Sequence, residues 1–343
     1  MYHETTSKLS KRVDKDLIAS TYTDAAWEAV RHFPVQAEDL KLVAYSENVT
    51  FRVASLDAET DWVLRLHRPG YSSLKELESE RIWTGALRET GVAVPGSLRT
   101  HDGGHYALVD IPDAGEQRYA GMTTWSEGTP LSDHLQSHPD GAERLRIFRR
   151  FGEIAATFHN QSAGWAPPPG FVRRRLGVEE LLGENPFWGR FWEHPALTEA
   201  EKACLVQTRD SLRSVLSAYG ESPEHFSLIH ADFTPDNIIY DGDDLAIIDF
   251  DDAAYGWHAY DLASVLIECR HARDLDALRD ALLEGYREHR PLAKRDIEML
   301  PVFLLIRGMA VIGWYHQRPE HAHFGDFEDL KSWVLEAADC TRP

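Results

Sequence analysis

Apolar positions in the first third of the chain recur mostly at every second place, and in the remainder mostly at every third or fourth. Residues up to about Phe33 read as a helix whose small apolar face is Ala25, Ala26, Ala29 and Val30. Leu40 to Tyr45 reads as a strand, and Val49, Phe51 and Val53 alternate with Thr50, Arg52 and Ala54 in a second. In a third strand, Trp62 to His67, Leu64 and Leu66 point one way and Val63 and Arg65 the other. Ser73 with Glu76 forms a capping box for a helix to about Arg88, with Leu77, Trp83 and Leu87 on one face. Glu80 falls on that same face, where a carboxylate is costly unless paired, and Arg65 is the obvious partner. After a loop at Gly91 to Pro95, Leu98–His101 and His105–Ile111 flank Asp102-Gly103-Gly104 and predict a hairpin. Tyr119 to Trp125 is the last strand, and the breaker cluster Ser126-Glu127-Gly128-Thr129-Pro130 predicts a hinge. The boundary divides a lobe of residues 1–125, a mostly antiparallel sheet with one main helix, from a lobe of residues 126–343.

The second lobe is expected to be mostly helical, making the whole α+β and bilobal. Asp140 with Glu143 reads as a capping box, and Leu145, Phe148, Phe151, Ile154, Ala155 and Phe158 form a long apolar face ended by Pro167-Pro168-Pro169-Gly170. Residues 198–220 are helical, as are segments near 261–271, 274–288, 293–316 and 326–338. Phe303, Arg307, Val311 and Trp314 share a face, so Arg307 either binds an anionic substrate group or pairs with a buried acid. Between Pro167 and Trp192 the chain is dense in rings (Phe171, Phe187, Trp188, Phe191 and Trp192) and in arginines (Arg173, Arg174 and Arg175). These either wall a small acceptor pocket or pack one helix onto the lobe.

One stretch departs from the helical pattern: Leu228 to Ala263, LIHADFTPDNIIYDGDDLAIIDFDDAAYGWHAYDLA. Phe226 to Ile229 is an apolar strand, and Thr234-Pro235-Asp236 makes the following segment a loop. Ile238–Tyr240 and Leu245–Phe250 flank Asp241-Gly242, a strong hairpin signal. The hairpin folds Asp249 back towards the loop that carries Asp232 and Asn237. Mg²⁺ takes oxygen ligands, usually one or two carboxylates plus phosphates and water, so Asn237 and Asp249 are candidate ligands. Asp232 is then left to accept a proton from a substrate hydroxyl.

Composition narrows the choice. The 343 residues carry 43% hydrophobic and 27% charged positions, ordinary for a soluble globular protein of two lobes. A formal net charge of -20 argues against a nucleic-acid partner and against anionic membranes, and weakly favours a cationic substrate. Cys204, Cys269 and Cys340 lie far apart, so neither a zinc site nor a disulfide framework is indicated. The N-terminus lacks an apolar signal core, and Val302–Trp314 is too short to span a bilayer and contains Arg307. A cytoplasmic protein is expected. No metal role is expected for His321 and His323.

HADFTPDN followed by IDFD resembles the catalytic and metal-binding signature of the aminoglycoside phosphotransferase and choline kinase superfamily, whose fold is protein-kinase-like. The continuation through YDLA is most similar to the branch holding the bacterial stress-response Ser/Thr kinases and type II homoserine kinases. The resemblance implies ATP with Mg²⁺ bound between the lobes, Asp232 as base, Asn237 and Asp249 on the metal, and Asp261 bracing the loop that begins at His230. It implies a phosphate-covering loop at Ser46-Glu47-Asn48, an Arg65–Glu80 ion pair, and adenine beside Thr124, Trp125 and the hinge. Asp251, Arg307 and Trp188 are the candidate acceptor contacts. Two departures stand out: no GxGxxG is present, and Arg65 replaces the family's phosphate-holding lysine. The expected function is phosphoryl transfer from ATP to a small-molecule hydroxyl. The alternatives are a Ser/Thr protein kinase and a nucleotide-binding pseudokinase.

Overall fold

The computed structural model describes residues 3–46, 48–56, 60–137, 141–242, 244–319 and 327–340. Glu47, the Asp140 of the expected capping box, and His321 and His323 lie outside them. The chain divides into two compact units: Met1–Gly128 with Pro168–Val172 and Ile239–Asp251, and Thr129–Pro167 with Arg173–Ile238 and Asp252–Pro343.

The first unit opens with α1 (His3–Val30), then β1 (Ala37–Tyr45), β2 (Val49–Ser55), β3 (Trp62–Leu66), α2 (Leu74–Glu89), β4 (Tyr106–Ile111) and β5 (Glu116–Thr124). The strands form one antiparallel sheet in the order β1-β2-β3-β5-β4. Alternation does what the pattern predicts. Val49, Phe51, Val53, Leu64, Leu66, Val109, Ile111, Ala120 and Met122 present one face to Tyr22, Ala25, Ala26, Ala29, Val30 and Phe33. That leaves Arg65 on the other face. The α2 capping box forms as written, the Ser73 hydroxyl accepting from Glu76 N and the Glu76 carboxylate from Ser73 N. Trp83 of α2 packs edge-on against Phe250 at 5.6 Å. The expected strand at 98–101 does not form; only Ser97 bridges to Thr123. The reason is that β5 already has both edges taken, by β3 and by β4, up to Gly121.

The second unit runs β6 (Thr129–Pro130), α3 (Leu131–Ser137), α4 (Gly141–Gly164), α5 (Val178–Leu182), α6 (Glu199–Tyr219) and β7 (Phe226–Ile229). The hairpin that comes next in the chain, β8 (Ile238–Tyr240) and β9 (Leu245–Ile247), belongs from Ile239 onward to the first unit, and its returning strand ends earlier than the pattern predicts. Then come β10 (Ala254–Trp257), α7 (His258–Ile267), α8 (Leu275–His289), α9 (Lys294–Glu298), α10 (Leu300–Gln317) and α11 (Phe327–Ala337). β10, unforeseen in the sequence, pairs antiparallel with β7. The helix expected at 293–316 is broken at Met299, just ahead of Pro301, which has no N–H for the ladder. Lys294–Gln317 is long and apolar enough to cross a membrane, but over half of it is buried inside the protein. α4 and α8 lie in close contact through glycines: a Cβ on Gly152 would sit 2.0 Å from the Leu282 carbonyl oxygen. The reading of the cysteines is corrected: Cys204 and Cys340 form a disulfide, and Cys269 is free and buried. Their separation of 136 residues left no spacing signal to find.

Candidate active site

The loop after β7 is fixed from below by apolar rings and from the side by one carboxylate. Phe233 is fully buried, packed against Phe151 at 5.4 Å and Phe158 at 5.5 Å, both on the apolar face of α4. His230 is equally buried and stacks on Phe158. Asp261, in the first turn of α7, accepts from His230 N at 2.9 Å on Oδ2 and from Ala231 N at 2.7 Å on Oδ1. Ala231 has φ 68, a left-handed conformation rare outside glycine that costs about 1–3 kcal/mol and persists only where surroundings enforce it. The Asp261 bonds supply that enforcement.

Sequence reasoning missed a second layer beneath Asp261. His159 Nε2 lies 3.2 Å from Asp261 Oδ2, and His159 Nδ1 lies 2.9 Å from the Tyr286 hydroxyl. Burial drives the His159 pKa well below the usual histidine range, so the ring is neutral. A neutral ring placed so donates from Nε2 to the carboxylate and accepts from Tyr286 on Nδ1. Burial raises Asp261 to about 6, against the pull of His230 and the two backbone N–H groups.

With His230 and Phe233 turned inward, Asp232 turns outward. Asn237 Nδ2 donates to Asp232 Oδ2 at 2.7 Å and to the Asp232 carbonyl at 2.9 Å. This directs the Asn237 amide oxygen away from Asp232. The other Asp232 oxygen, Oδ1, takes the Arg307 guanidinium. Of the two expectations for Arg307, the ion pair with an acid is present, and the acid is the loop's own Asp232. Burial alone would lower the Arg307 pKa; Asp232, Tyr260 and Asp252 outweigh it and hold the charge. Arg307 lies 5.9 Å over the Trp188 ring, and Trp188 stacks on Tyr260 at 6.1 Å. Phe191 and Trp192 are buried, Arg173 donates to the Ala253 carbonyl, and Arg175 sits over Phe226 and pairs with Glu221. Much of the ring-rich segment is thus committed to packing.

In the first unit Arg65 Nη1 donates to Asp249 Oδ1 at 3.1 Å and to Asp251 Oδ1 at 3.0 Å. Burial opposes its charge, and Asp249, Asp251 and then Glu80 overcome that and raise its pKa. The partners that bond Arg65 are therefore the two aspartates after β9, with Glu80 as the next charge. Asp249 has φ 63, a second strained backbone position. Asn48 is buried, its amide nitrogen on Asp251 and its oxygen accepting from Arg68 N at 3.0 Å. Ser46 N donates to the Asn48 carbonyl at 3.2 Å. Thr124 Oγ1 accepts from Gly96 N at 2.9 Å, and Trp125 carries the Arg52 guanidinium at 4.4 Å over its ring. Taken singly, the Asn237 amide oxygen and the Asp249 carboxylate are each hard oxygen donors of the kind that Mg²⁺ takes.

Comparison with known proteins identifies the family. The model of the APH phosphotransferase enzyme family matches residues 41–295, and the chain belongs to that family. A homoserine kinase of Pseudomonas aeruginosa is 32% identical over 225 residues, 64% of this chain and 63% of that protein. The amicoumacin kinase of Bacillus subtilis is 23% identical over 300 residues, 84% of this chain and 83% of that one. Among solved structures, a microcompartment-associated aminopropanol kinase superposes with a TM-score of 0.77 at 30% identity, over 93% of this chain and 95% of that one. The fold is that of these kinases, and the protein is a phosphotransferase.

Proposed function

We propose that the protein transfers the γ-phosphate of ATP to a hydroxyl of a small molecule, with Asp232 as the proton acceptor. The observation that carries this is the outward-facing Asp232, held by Asn237 on a loop that Asp261 locks in a strained conformation. In the transfer the acceptor oxygen bonds to the γ-phosphorus, the bond from that phosphorus to the β–γ bridging oxygen breaks, and ADP leaves. The hydroxyl proton passes to Asp232 and later to solvent. The step needs little from the protein beyond position and charge. Mg²⁺ held by Asn237 and Asp249 would neutralise charge on the phosphates. Arg65 and Asn48 serve the nucleotide side. Homoserine, an aminopropanol and amicoumacin are the acceptors named for similar kinases, which favours a small acceptor over a protein. The working location is the cytoplasm. The reading is independent of the redox state of Cys204 and Cys340, because the site groups lie on other elements.

The test is ADP release with Mg-ATP across a panel of amino alcohols, hydroxy-amino acids, sugars, aminoglycosides and generic protein substrates. At least one small hydroxyl compound should be phosphorylated by the wild type and not by Asp232→Asn. Saturable phosphorylation of a folded protein, with every small acceptor inert, would overturn the reading.

A further inference from the structure

α11 is the last helix of the described chain, and its 11 residues are too few to hold a helix without neighbours. Only Leu330, Val334 and Leu335 of it are buried. Its two ends are tied down by different means. At the first turn Asp329 pairs with Arg270 and His271, and the Phe327 ring stacks on His194 at 4.2 Å. Beyond the last turn Cys340 is bonded to Cys204 of α6. The backbone turns sharply to reach that bond. Asp339 has φ 60, a left-handed conformation that residues other than glycine adopt rarely. Such a conformation persists where the surroundings enforce it, and the cross-link at the next residue does so.

The bond can be reached from outside. Cys204 and Cys340 are both partly exposed, whereas Cys269 is buried and its sulfur accepts from Arg144 Nη2 at 3.7 Å. Thiol exchange therefore has one site. In the cytoplasm, the working location proposed above, a disulfide is not a permanent staple; it forms and breaks with the thiol balance. The packing behind α11 gives its state a consequence. A Cβ on Gly308 would sit 2.7 Å from Val334 Cγ2 and 2.9 Å from the Trp333 ring, so α11 lies directly against the backbone of α10 there. The residue before Gly308 is Arg307, whose guanidinium holds Asp232 Oδ1. One helix thus has the cross-linked element on one side and the catalytic loop on the other.

From this placement we infer that Cys204 and Cys340 are a reversible redox latch. Oxidised, the pair docks α11 against α10 behind Arg307; reduced, it releases α11 and loosens the grip of Arg307 on Asp232. The co-reactant is a thiol/disulfide couple. To open the latch, a thiolate attacks one sulfur of the pair, the Sγ–Sγ bond breaks, and the other cysteine leaves as a thiolate. A second thiolate then displaces the remaining cysteine from the mixed disulfide. Two electrons pass to the pair, each cysteine takes up the proton that an incoming thiol gave up, and the two thiols leave joined as a disulfide. Closing is the reverse, with that disulfide as oxidant. The chemistry at Asp232 is the same in both states, and the latch sets how firmly the carboxylate is oriented. The coupling runs through one element with two arrangements, α11 docked or released.

The experiment equilibrates the whole chain with glutathione over a series of thiol-to-disulfide ratios. Alkylation and mass spectrometry should show the Cys204–Cys340 pair opening and closing reversibly across the series. On opening, hydrogen exchange should quicken by about tenfold or more in α11 and in the Asp232–Asn237 loop, and stay unchanged in the sheet of the first unit. With an acceptor from the panel above, kcat should be about 2- to 30-fold lower in the reduced form, the range over which couplings of this kind are modulated. Cys340→Ser should match the reduced wild type at every ratio. Arg307→Met keeps the packed stem and removes the charge, which separates the latch from a general softening. In that variant reduction should still free α11 but no longer change exchange in the loop. A pair that stays bonded throughout the series, or never bonds, overturns the latch. So does an opening that leaves exchange in α11 or the loop unchanged, or an effect on the loop that survives Arg307→Met. Exchange that responds as expected, with no small hydroxyl phosphorylated in either state, would sink the kinase reading and leave the latch standing.

Discussion

Asp261 and Glu268 stand on one face of one helix and have opposite fates. Asp261 is wholly buried and receives two backbone N–H groups and a neutral histidine. Glu268 is open to solvent and receives nothing from the described residues. The first carboxylate therefore spends its hydrogen-bonding capacity on the fold, and the second does not. The same division separates the parts of the kinase. What the proposed phosphoryl step would use is built close together in sequence and tied down by internal bonds, as at Asp232, Asn237 and Asp261. Side chains gathered from distant helices are less evenly committed: Arg307 is paired with Asp232, while Glu268 has no bond to a described residue.

The largest effect that would break this division lies at Asp232. Asp232→Asn keeps the shape and the Asn237 contact but cannot take a proton. Its kcat should fall about 10²–10⁴-fold, the usual contribution of a general base, with nucleotide affinity nearly unchanged by calorimetry. A loss under about tenfold would move the base elsewhere. Asp249→Ala should act on the other quantity, removing the magnesium dependence of ATP binding. It also takes away one of the two carboxylates that hold Arg65. Equal Mg-ATP affinity in wild type and variant would show that Asp249 holds no metal.

How much of this was legible follows from distance along the chain. The hairpin, the loop and its Asp232, Asn237 and Asp249 lie within one short stretch, where turn formers, alternation and residue type all speak together. The core of the sheet was equally plain, because period two exposes one face whatever the partner. β10 was not seen, because a strand so short has too few positions to show a period. The Arg307–Asp232 pair could be read only as one of two options, since the residues stand 75 apart and no local pattern links them. His159 gave no signal at all: it sits among the apolar residues of α4, and only the fold brings it under Asp261. Arg65 was expected to pair with Glu80 on the strength of a helix face. Its bonds to Asp249 and Asp251 depend on where the hairpin returns the chain, which a face cannot tell.

Intermediate effects belong to Asp261. Asp261→Asn must turn an amide N–H₂ towards one of two backbone N–H donors, leaving a buried donor unmet at a cost of about 1–3 kcal/mol. Urea denaturation should show that loss, and kcat should fall with it as the loop relaxes. pH separates the two consequences. The Asp261 pKa is raised from the ordinary 3.8 to about 6 in the folded protein, so between those values the native state binds the extra proton. Stability from this group therefore increases as pH falls through that window and is lost as pH rises through 6. Activity should move the other way, since a protonated carboxyl can no longer accept from both His230 N and Ala231 N. Relative to Asp261→Asn, the wild type should gain stability and lose kcat between pH 7 and pH 5. A parallel decline of both would mean that the loop does not depend on the ionised carboxylate.

The smallest expected effect is the sharpest test of the comparison. Glu268→Gln removes a charge that, among the described residues, stabilises nothing: it caps no helix by its side chain, bonds no neighbour and pairs with no cation. Its burial raises its pKa, so ionising it at neutral pH costs the folded state a little instead of contributing to it. The neutral amide also lessens repulsion from Asp236 and Asp232. The urea midpoint should therefore stay put or rise slightly, by no more than about 0.5 kcal/mol, the range of surface changes that break no contact. The slope with denaturant should not change, because the same surface is exposed on unfolding. Set beside Asp261→Asn, the two substitutions make the same carboxylate-to-amide change on the same helix face. One should lower stability and the other should not. If Glu268→Gln lowered the midpoint as far as Asp261→Asn does, the carboxylate would be a structural group whose partner the fold already holds. The distinction between the two ends of α7 would then disappear.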